Sequence, residues 1–533
     1  MFYQNVCEPL LLNVRRYPDK TALVFGQERY TYGQLGRWVD RIAAGLFRLG
    51  IRPGDKVAYL FPNCCELVAL YYAIQKLGAV AVPLNFRLIP REIGFLTQNS
   101  DAVALVFAGE FAEKVLGIRE TLAQVKHFIC AGTHPDFPCT LESLAREAGE
   151  ELPVFQQEQA LSRIQFTGGS TGVPKGVMRT HAADLTELMG ELMYSGLGAS
   201  AGEVVLIQCP LEHHGGHSWF TAVLASGSTL VICDAFSPER ILRQIQRERV
   251  TYMLLLPPST YLHLCEYPGL KDYDVSSVRM VQSSAGCTTP EVILRIGEAF
   301  PNADIYYGWG QTESGLGTTL VLTREMARTN DPRIRSVGRP MPFVEMRIVD
   351  EQWNDLPPGQ AGEAVIRSPA GMSGYYNQPE QTEKVLRADG WLRTGDMMTV
   401  DRDGYYYLLS RVKNMIKSGG ENVFTQEVEM VIQEHPSVAE CIVIGVADAR
   451  FGEAVMAIVQ LRPGRTLTLE ELQEHCKASL SSYKKPRYLA FVDKFDRDDA
   501  GKLRRQDLCK KYQAQYKAAV KAQRQSDNNK KSI

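Results

Sequence analysis

The run Ile164-Gln165-Phe166-Thr167-Gly168-Gly169-Ser170-Thr171-Gly172-Val173-Pro174-Lys175-Gly176-Val177 gathers the kinds of group that hold a phosphate. Glycines let the backbone approach an anion closely, so N–H groups and the hydroxyls of Thr167, Ser170 and Thr171 can point at its oxygens. Lys175 adds a positive charge. The pattern is not the Walker A loop, because Pro174 precedes the lysine and Gly176 follows it where Ser or Thr is required. An ordinary polar surface loop competes with this reading for any short Gly-rich stretch. The ordered mix of glycine, hydroxyl, proline and lysine weighs against it.

A second chemical stretch is Asp304-Ile305-Tyr306-Tyr307-Gly308-Trp309-Gly310-Gln311-Thr312-Glu313, with an indole face, a hydroxyl and a carboxylate in close succession. Further segments lie around these two: Pro210-Leu211-Glu212-His213-His214-Gly215-Gly216, Ser283-Ser284-Ala285-Gly286-Cys287, Trp391-Leu392-Arg393-Thr394-Gly395-Asp396, Ser410-Arg411-Val412-Lys413-Asn414, Lys417-Ser418-Gly419-Gly420-Glu421-Asn422 and Asp499-Ala500-Gly501-Lys502-Leu503-Arg504-Arg505. Taken singly they say little. A lone histidine such as His213 would be structural, small residues after a strand are a turn, and a lysine near the C-terminus is solvated.

Their order says more. The set resembles the adenylate-forming superfamily, which holds acyl-CoA synthetases, luciferases and the adenylation domains of peptide synthetases. Over roughly residues 5 to 510 the chain is most similar to an AMP-forming acyl-CoA synthetase. The resemblance implies that Thr167, Gly168, Gly169, Ser170, Thr171, Gly172 and Lys175 hold the phosphates of ATP. Ala285 and Gly286 would lie beside the adenine and the acyl group. Trp309 would stack on adenine where tyrosine is usual, flanked by Gly310 and Gln311, with Thr312 on the α-phosphate and Glu313 on a Mg²⁺ ion. Asp396 would accept hydrogen bonds from both ribose hydroxyls, as a carboxylate can, with Arg411 a second ribose contact. His213, Gly308 and Gly315 would line the acyl pocket, Lys413 would be the hinge between two domains, and Gly419 and Gly420 would line the tunnel for coenzyme A. Lys502 would bridge the carboxylate and the α-phosphate. Lys502, Thr312, Glu313 and His213 are thus the expected catalytic set.

Two departures stand out. Glu212 occupies a place where an aromatic residue is usual. It is expected to point away from the pocket, solvated or paired, since unpaired buried carboxylates are costly; the alternative is that it selects an acid bearing a cation or a hydroxyl. Lys494-Phe495-Asp496-Arg497 stands where a proline normally precedes the Lys502 segment.

A carboxylate is a poor acylating agent, because its leaving group would be oxide. Joining it to AMP creates a mixed anhydride that a thiol can attack, and the cationic and hydroxyl groups above would offset repulsion between two anions. The expected activity is an ATP-dependent carboxylic acid–CoA ligase with ATP, Mg²⁺ and coenzyme A as cofactor and substrates. The alternatives are transfer to a carrier protein or another acceptor, light emission, or a catalytically silent relative; intact Lys502, Glu313 and Lys175 argue against the last. No nucleophile elbow or triad is present to form a covalent enzyme intermediate. Fatty, aromatic and alicyclic acids all remain open.

These groups need elements to hold them. Thr21–Phe25 and Arg29–Tyr32 suggest a hairpin, Tyr32–Leu49 an amphipathic helix ended by Gly50, and Val57–Phe61 a buried strand. Glu66–Leu77 reads as a helix, Ala79–Pro83 and Ala102–Phe107 as strands, and a second α/β set runs from Val204 to Tyr307. Strands alternating with helices predict doubly wound parallel sheets, with ligands at the carboxyl ends of strands. The expected fold is α/β: a large AMP-binding domain over 1–411, a smaller mobile α+β domain over 412–520, and a disordered tail over 521–533. At 533 residues more than one core is required. A net charge of -2 gives no case for nucleic acid or an anionic membrane. The 12 cysteines form no C-x-x-C pair, which suggests reduced thiols in a cytoplasmic protein. The apolar window Leu67–Leu84 is broken by Gln75, Lys76 and Pro83, so it reads as a core helix entering a strand and not as a membrane span. Nothing in the sequence points to an oligomeric state.

Overall fold

Helix Cys65–Leu77 is apolar on nearly every side, and all of its residues except Glu66 are buried, as an all-round hydrophobic helix must be. Gly78 ends it in the left-handed conformation at φ 75°. A Cβ there would also come within 2.3 Å of the Phe155 ring. The chain then turns into strand Val80–Leu84. In this computed structural model the described residues are 3–146, 152–167, 174–198, 202–255, 259–283, 290–418, 421–448, 450–477, 479–497 and 503–517.

Two large sheets enclose that helix. One has seven strands in the order Gly374–Tyr375, Lys175–Thr180, Leu161–Thr167, Val80–Leu84, Lys56–Leu60, Ala102–Ala108 and His127–Ala131. The other has nine, running Arg339–Pro340, Gly315–Leu322, Asp304–Gln311, Met280–Ser283, Tyr252–Leu254, Val204–Ile207, Thr229–Ile232, Thr21–Phe25 and Glu28–Thr31. Both are parallel at the centre with antiparallel strands toward an edge. Along Lys56–Leu60 the side chains alternate: Val57 and Tyr59 join the core between the sheets, while Ala58 and Leu60 meet Ile93 and Val115 on the outer face. Burial on both faces is the condition a parallel sheet needs. The α/β expectation holds, with one rearrangement. The Thr21–Thr31 hairpin pairs with Thr229–Ile232, so the chain enters the nine-stranded sheet before it builds the seven-stranded one.

An antiparallel sheet of Glu345–Val349, Gly362–Arg367, Leu392–Val400 and Tyr406–Arg411 follows. After the short turn Val412–Asn414 comes a five-stranded sheet with its own core, in which Ile416, Val428, Ile432, Val443 and Val455 meet. Helix Thr425–Gln433 begins after strand Glu421–Val423. Phe424 is the capping residue and makes no side-chain cap bond, while Thr425 lies buried inside the first turn. No helix among the described residues is long and apolar enough to cross a membrane.

Candidate active site

The parallel strands of the nine-stranded sheet end level with one another: Ile207 aligns with Leu254, Leu254 with Gln282, and Gln282 with Tyr306. The residues at and just beyond these carboxyl ends, including Pro210, Leu254, Gln282 and Tyr307, line a cavity of about 450 Å³. This is where a parallel α/β sheet places ligands. His213, Gly308 and Gly315, the expected acyl-side residues, also line it, together with Trp219. His213 precedes helix His214–Ala225, and its Nε2 lies 3.4 Å from Asn85 Nδ2. Gly216 is required at the start of that helix, because a Cβ would fall 2.1 Å from the Pro210 carbonyl oxygen.

Strand Asp304–Gln311 carries Trp309, Gly310 and Gln311 to the same cavity, with Thr312 just beyond. A register shift between Trp309 and Gly310 breaks the pairing with Gly315–Leu322, the kind of irregularity that re-aims side chains at a site. One side of the indole rests on Gly317, where a Cβ would come within 2.7 Å of the ring. Its Nε1 donates to Asp396 Oδ2 at 3.0 Å, and Gln311 Nε2 donates to the same oxygen at 2.8 Å. Arg411 Nε lies 2.7 Å from Asp396 Oδ1. Burial raises the Asp396 carboxyl above its ordinary range despite these three partners. The expected ribose acceptor is therefore fully buried; its Oδ2 accepts two protein hydrogen bonds, while its Oδ1 is ion-paired with Arg411 and accepts none among the described residues. Lys413, in the turn after Arg411, is held below its usual pKa by burial and by Arg411.

The phosphate-side groups come from different sheets. Lys175 Nζ sits 4.6 Å from the centroid of the Tyr375 ring, and the Tyr375 hydroxyl donates to Glu313 Oε1 at 3.1 Å. Tyr375 thus links the lysine of the Gly-rich segment to the carboxylate of the second motif. Thr167 ends strand Leu161–Thr167. Gly168, Gly169, Ser170, Thr171, Gly172, Ala285, Gly286, Gly419, Gly420, Lys502 and the tail from 521 lie outside the described residues.

Glu212 lies off the cavity as expected, and departs only from the solvated form of that expectation. It is buried, with no solvated carboxylate, and is not among the cavity residues; its backbone carbonyl accepts from Gln165 Nε2.

The polar residues that do reach the inner cavity belong to a network the sequence reading missed. Arg163 and Arg179 are fully buried and share Asp184, with Arg163 Nε to Oδ2 at 3.0 Å and Arg179 Nε to Oδ1 at 2.9 Å. Arg179 Nη2 also donates to Glu187 Oε2 at 2.6 Å, and its Nη1 to the carbonyls of Ala370 and Thr312. Burial pushes the Asp184 carboxyl up, but the two guanidinium groups outweigh it and hold it well below its usual range. Arg163 Nη2 lies 2.9 Å from His214 Nδ1. An arginine only donates, so His214 accepts there and carries its proton on Nε2, 3.0 Å from Glu187 Oε1. The readable signal was the acidic spacing Asp184, Glu187, Glu191 along helix His181–Ser195, on a helix that also buries Ala183, Leu185 and Leu188.

Across the turn Val412–Asn414, Gln426 of helix Thr425–Gln433 also lines the cavity. Arg462 Nη2 pairs with Glu291 at 2.7 Å, and Arg335 with Glu434, tying the C-terminal sheet to the large body.

Two family models cover most of the chain. "AMP-binding enzyme" matches residues 11–376, and "AMP-binding enzyme C-terminal domain" matches residues 427–502. A feruloyl-CoA synthase of Amycolatopsis sp is 34% identical over 502 residues, spanning 93% of this chain and 97% of that protein. Among solved structures, an anthranilate CoA ligase in complex with anthranoyl-AMP superposes with a TM-score of 0.87 at 26% identity, over 96% of this chain and 98% of the other. An amide bond synthetase of Marinactinospora thermotolerans gives a TM-score of 0.85 at 29% identity, over 94% and 98%.

Proposed function

This chain belongs to the AMP-binding enzyme family, and on that premise we propose how its residues share the work of a carboxylic acid–CoA ligase. The reaction is ATP-dependent and AMP-forming: the acid and ATP give an acyl-adenylate and pyrophosphate, and coenzyme A then displaces AMP. The observation that carries the residue assignment is the convergence of Trp309, Gln311, Thr312, Arg411 and Gln426 on one cavity, beside the Lys175–Tyr375–Glu313 link.

We assign the adenine to Trp309 and the ribose to the Asp396–Arg411 pair, whose hydrogen bonds must open toward the hydroxyls. Thr312 takes the α-phosphate, and Lys175 with the preceding loop takes the outer phosphates. Glu313 is a single carboxylate with no cluster of three metal-ligating side chains among the described residues. That suits Mg²⁺, which takes one or two carboxylates and completes its shell with phosphate oxygens and water; bound there it would neutralise phosphate charge. The acid's carboxylate attacks the α-phosphorus while the bond to pyrophosphate breaks, and Lys502 offsets the charge that develops. His213 lines the acyl side. We place the cytoplasm as the site of action, supported by free cysteines that are mostly buried.

The domain division falls at Arg411/Val412, giving 1–411 and 412–520 with Lys413 as the hinge. Strand Val438–Asp448 supports two working faces on the small domain. Val443 packs with Val428 and Ile432 of helix Thr425–Gln433, which Gly419 and Gly420 precede in the sequence, whereas Ile442 and Ile444 pack with Phe495 and with Leu503, the residue after Lys502 in the sequence. One face serves adenylation and the other the entry of coenzyme A.

The acid we propose is compact and ring-bearing. A cavity of about 450 Å³ has to accommodate nucleotide and acyl groups, and buried Trp219 and Glu191 line it. AMP release with a panel of acids, read alongside thioester formation with coenzyme A and amide formation with amines, tests the reading. Release of AMP that yields amide and no thioester would overturn the assignment of coenzyme A as acceptor.

A further inference from the structure

Helix His181–Ser195 presents three acidic side chains to the interior, and only two of them have cations. Asp184 and Glu187 are taken up by Arg163, Arg179 and His214, so positive and negative charge already balance there. Glu191, one turn further on, is 4% exposed and lines the cavity. Its Oε1 accepts from Ser218 Oγ at 3.2 Å, and its Oε2 has no protein partner among the described residues. On the facing sheet Gln282 is equally buried, lines the same cavity, and leaves its Oε1 without a protein partner. Tyr194 stands between them. It follows Glu191 by one helical turn and feels its charge, it is hydrogen-bonded by Gln282, and its hydroxyl donates to the Tyr307 carbonyl.

Buried polar atoms without partners are rare, and where they line a cavity a ligand or water must satisfy them. An acid with an all-carbon tail would expel the water and leave both atoms unpaired. We propose that Glu191 and Gln282 form a recognition site for a hydroxyl group on the far end of the acid substrate, so that this enzyme selects hydroxylated acids over their deoxy counterparts. A hydroxyl both donates and accepts, and so matches an amide oxygen on one side and a carboxyl on the other. Gln282 Oε1 accepts a hydrogen bond from the hydroxyl, which donates. Glu191, whose carboxyl is pushed up to about 8 by burial and by Glu187, is mostly protonated at neutral pH and donates to the hydroxyl oxygen. A neutral carboxyl offers a cationic substituent no counter-charge. This inference rests on the ligase reading above, and it moves the specificity role once open to Glu212 onto Glu191.

The test is a set of matched acids, each aryl or alkyl acid assayed with its distal hydroxy derivative, measured as kcat/KM for AMP release and for thioester formation. A site built to bond a hydroxyl rejects the analogue lacking it by as much as about 10⁴–10⁵-fold; a wild-type preference of at least about 10²-fold is expected here. Glu191→Leu should collapse that ratio to about 10-fold or less by lowering turnover of the hydroxy acid alone, and Glu191→Gln, which still bonds, should retain most of it. Should Glu191→Leu fail to fold, Gln282→Leu carries the same expectation, and the wild-type ratio needs no variant. Acids turned over to thioester with no preference for the hydroxyl, or a preference that survives both leucine variants, would overturn this inference and leave the ligase reading intact. No acid-dependent AMP release from any member of the set would overturn both.

Discussion

Trp309 holds two positions at once, and two substitutions separate them. Its ring lines the cavity where adenine is assigned, while its Nε1 donates to the buried Asp396 carboxyl at 3.0 Å. Trp309→Phe keeps an aromatic face and removes the donor. A hydrogen bond to a charged group contributes about 1.5–3 kcal/mol, and Gln311 and Arg411 remain on Asp396, so the lower end applies. The expected result is a lower thermal midpoint with ATP affinity changed by less than about 3-fold, because the stacking face survives. Trp309→Ala removes the face as well. Stacking is worth about 1–3 kcal/mol per base, which converts to a loss of about 5- to 150-fold in affinity. Calorimetric titration with a non-hydrolysable ATP analogue, together with thermal melts of each variant, reads both effects. If Trp309→Ala binds the analogue as wild type does, adenine does not stack there. If Trp309→Phe loses as much affinity as Trp309→Ala, the Asp396 bond and not the ring face is what orders the nucleotide site.

Lys502→Ala should slow acyl-adenylate formation by about 10²–10³-fold, the scale for one transition-state contact, yet still convert supplied acyl-adenylate and coenzyme A to thioester. Lys413→Pro, which restricts the backbone at the turn, should do the reverse; equal loss of both half-reactions in both variants would refute two alternating faces. Tyr375→Phe removes the donor to Glu313 Oε1 and leaves Lys175 its aromatic face, so it should shift the Mg²⁺ dependence of adenylation and leave the KM of the acid unchanged; an unaltered metal titration counts against the link. Glu191 predicts a pH effect on stability. Its folded pKa of about 8 exceeds the ordinary 4.5, so stabilisation from the neutral form is complete below about 4.5 and is lost as pH rises through about 8, by at most about 5 kcal/mol. Glu187, His214, Tyr194, Ser218 and Gln282 surround the group, and Glu191→Gln should flatten the wild-type fall in thermal midpoint across that window; parallel profiles would refute it.

What the sequence determined by itself is whatever depends on local order along the chain. Helix Cys65–Leu77 was legible because apolar residues on every side leave it nowhere but the interior, and Gly50, just past helix Tyr32–Arg48 at φ 94°, because a left-handed stop favours glycine. Trp309, Gln311, Thr312, Arg411 and His213 were legible as candidates because each sits in a short motif of fixed spacing, and all of them line the cavity. Tertiary structure decided what depends on contacts between distant segments. That the Thr21–Thr31 hairpin joins the nine-stranded sheet follows from its pairing with Thr229–Ile232, and strand periodicity carries no information about partners. Glu212 and Glu191 make the same point for the site. Glu212, inside a motif, was expected to point away from the pocket and is not among the cavity residues, whereas Glu191, from a helix with no motif, lies in the cavity wall. The reason is electrostatic as much as geometric: only in the folded chain do Arg163 and Arg179 meet Asp184 and Glu187, neutralise them, and leave the third carboxyl of that helix face over for a ligand.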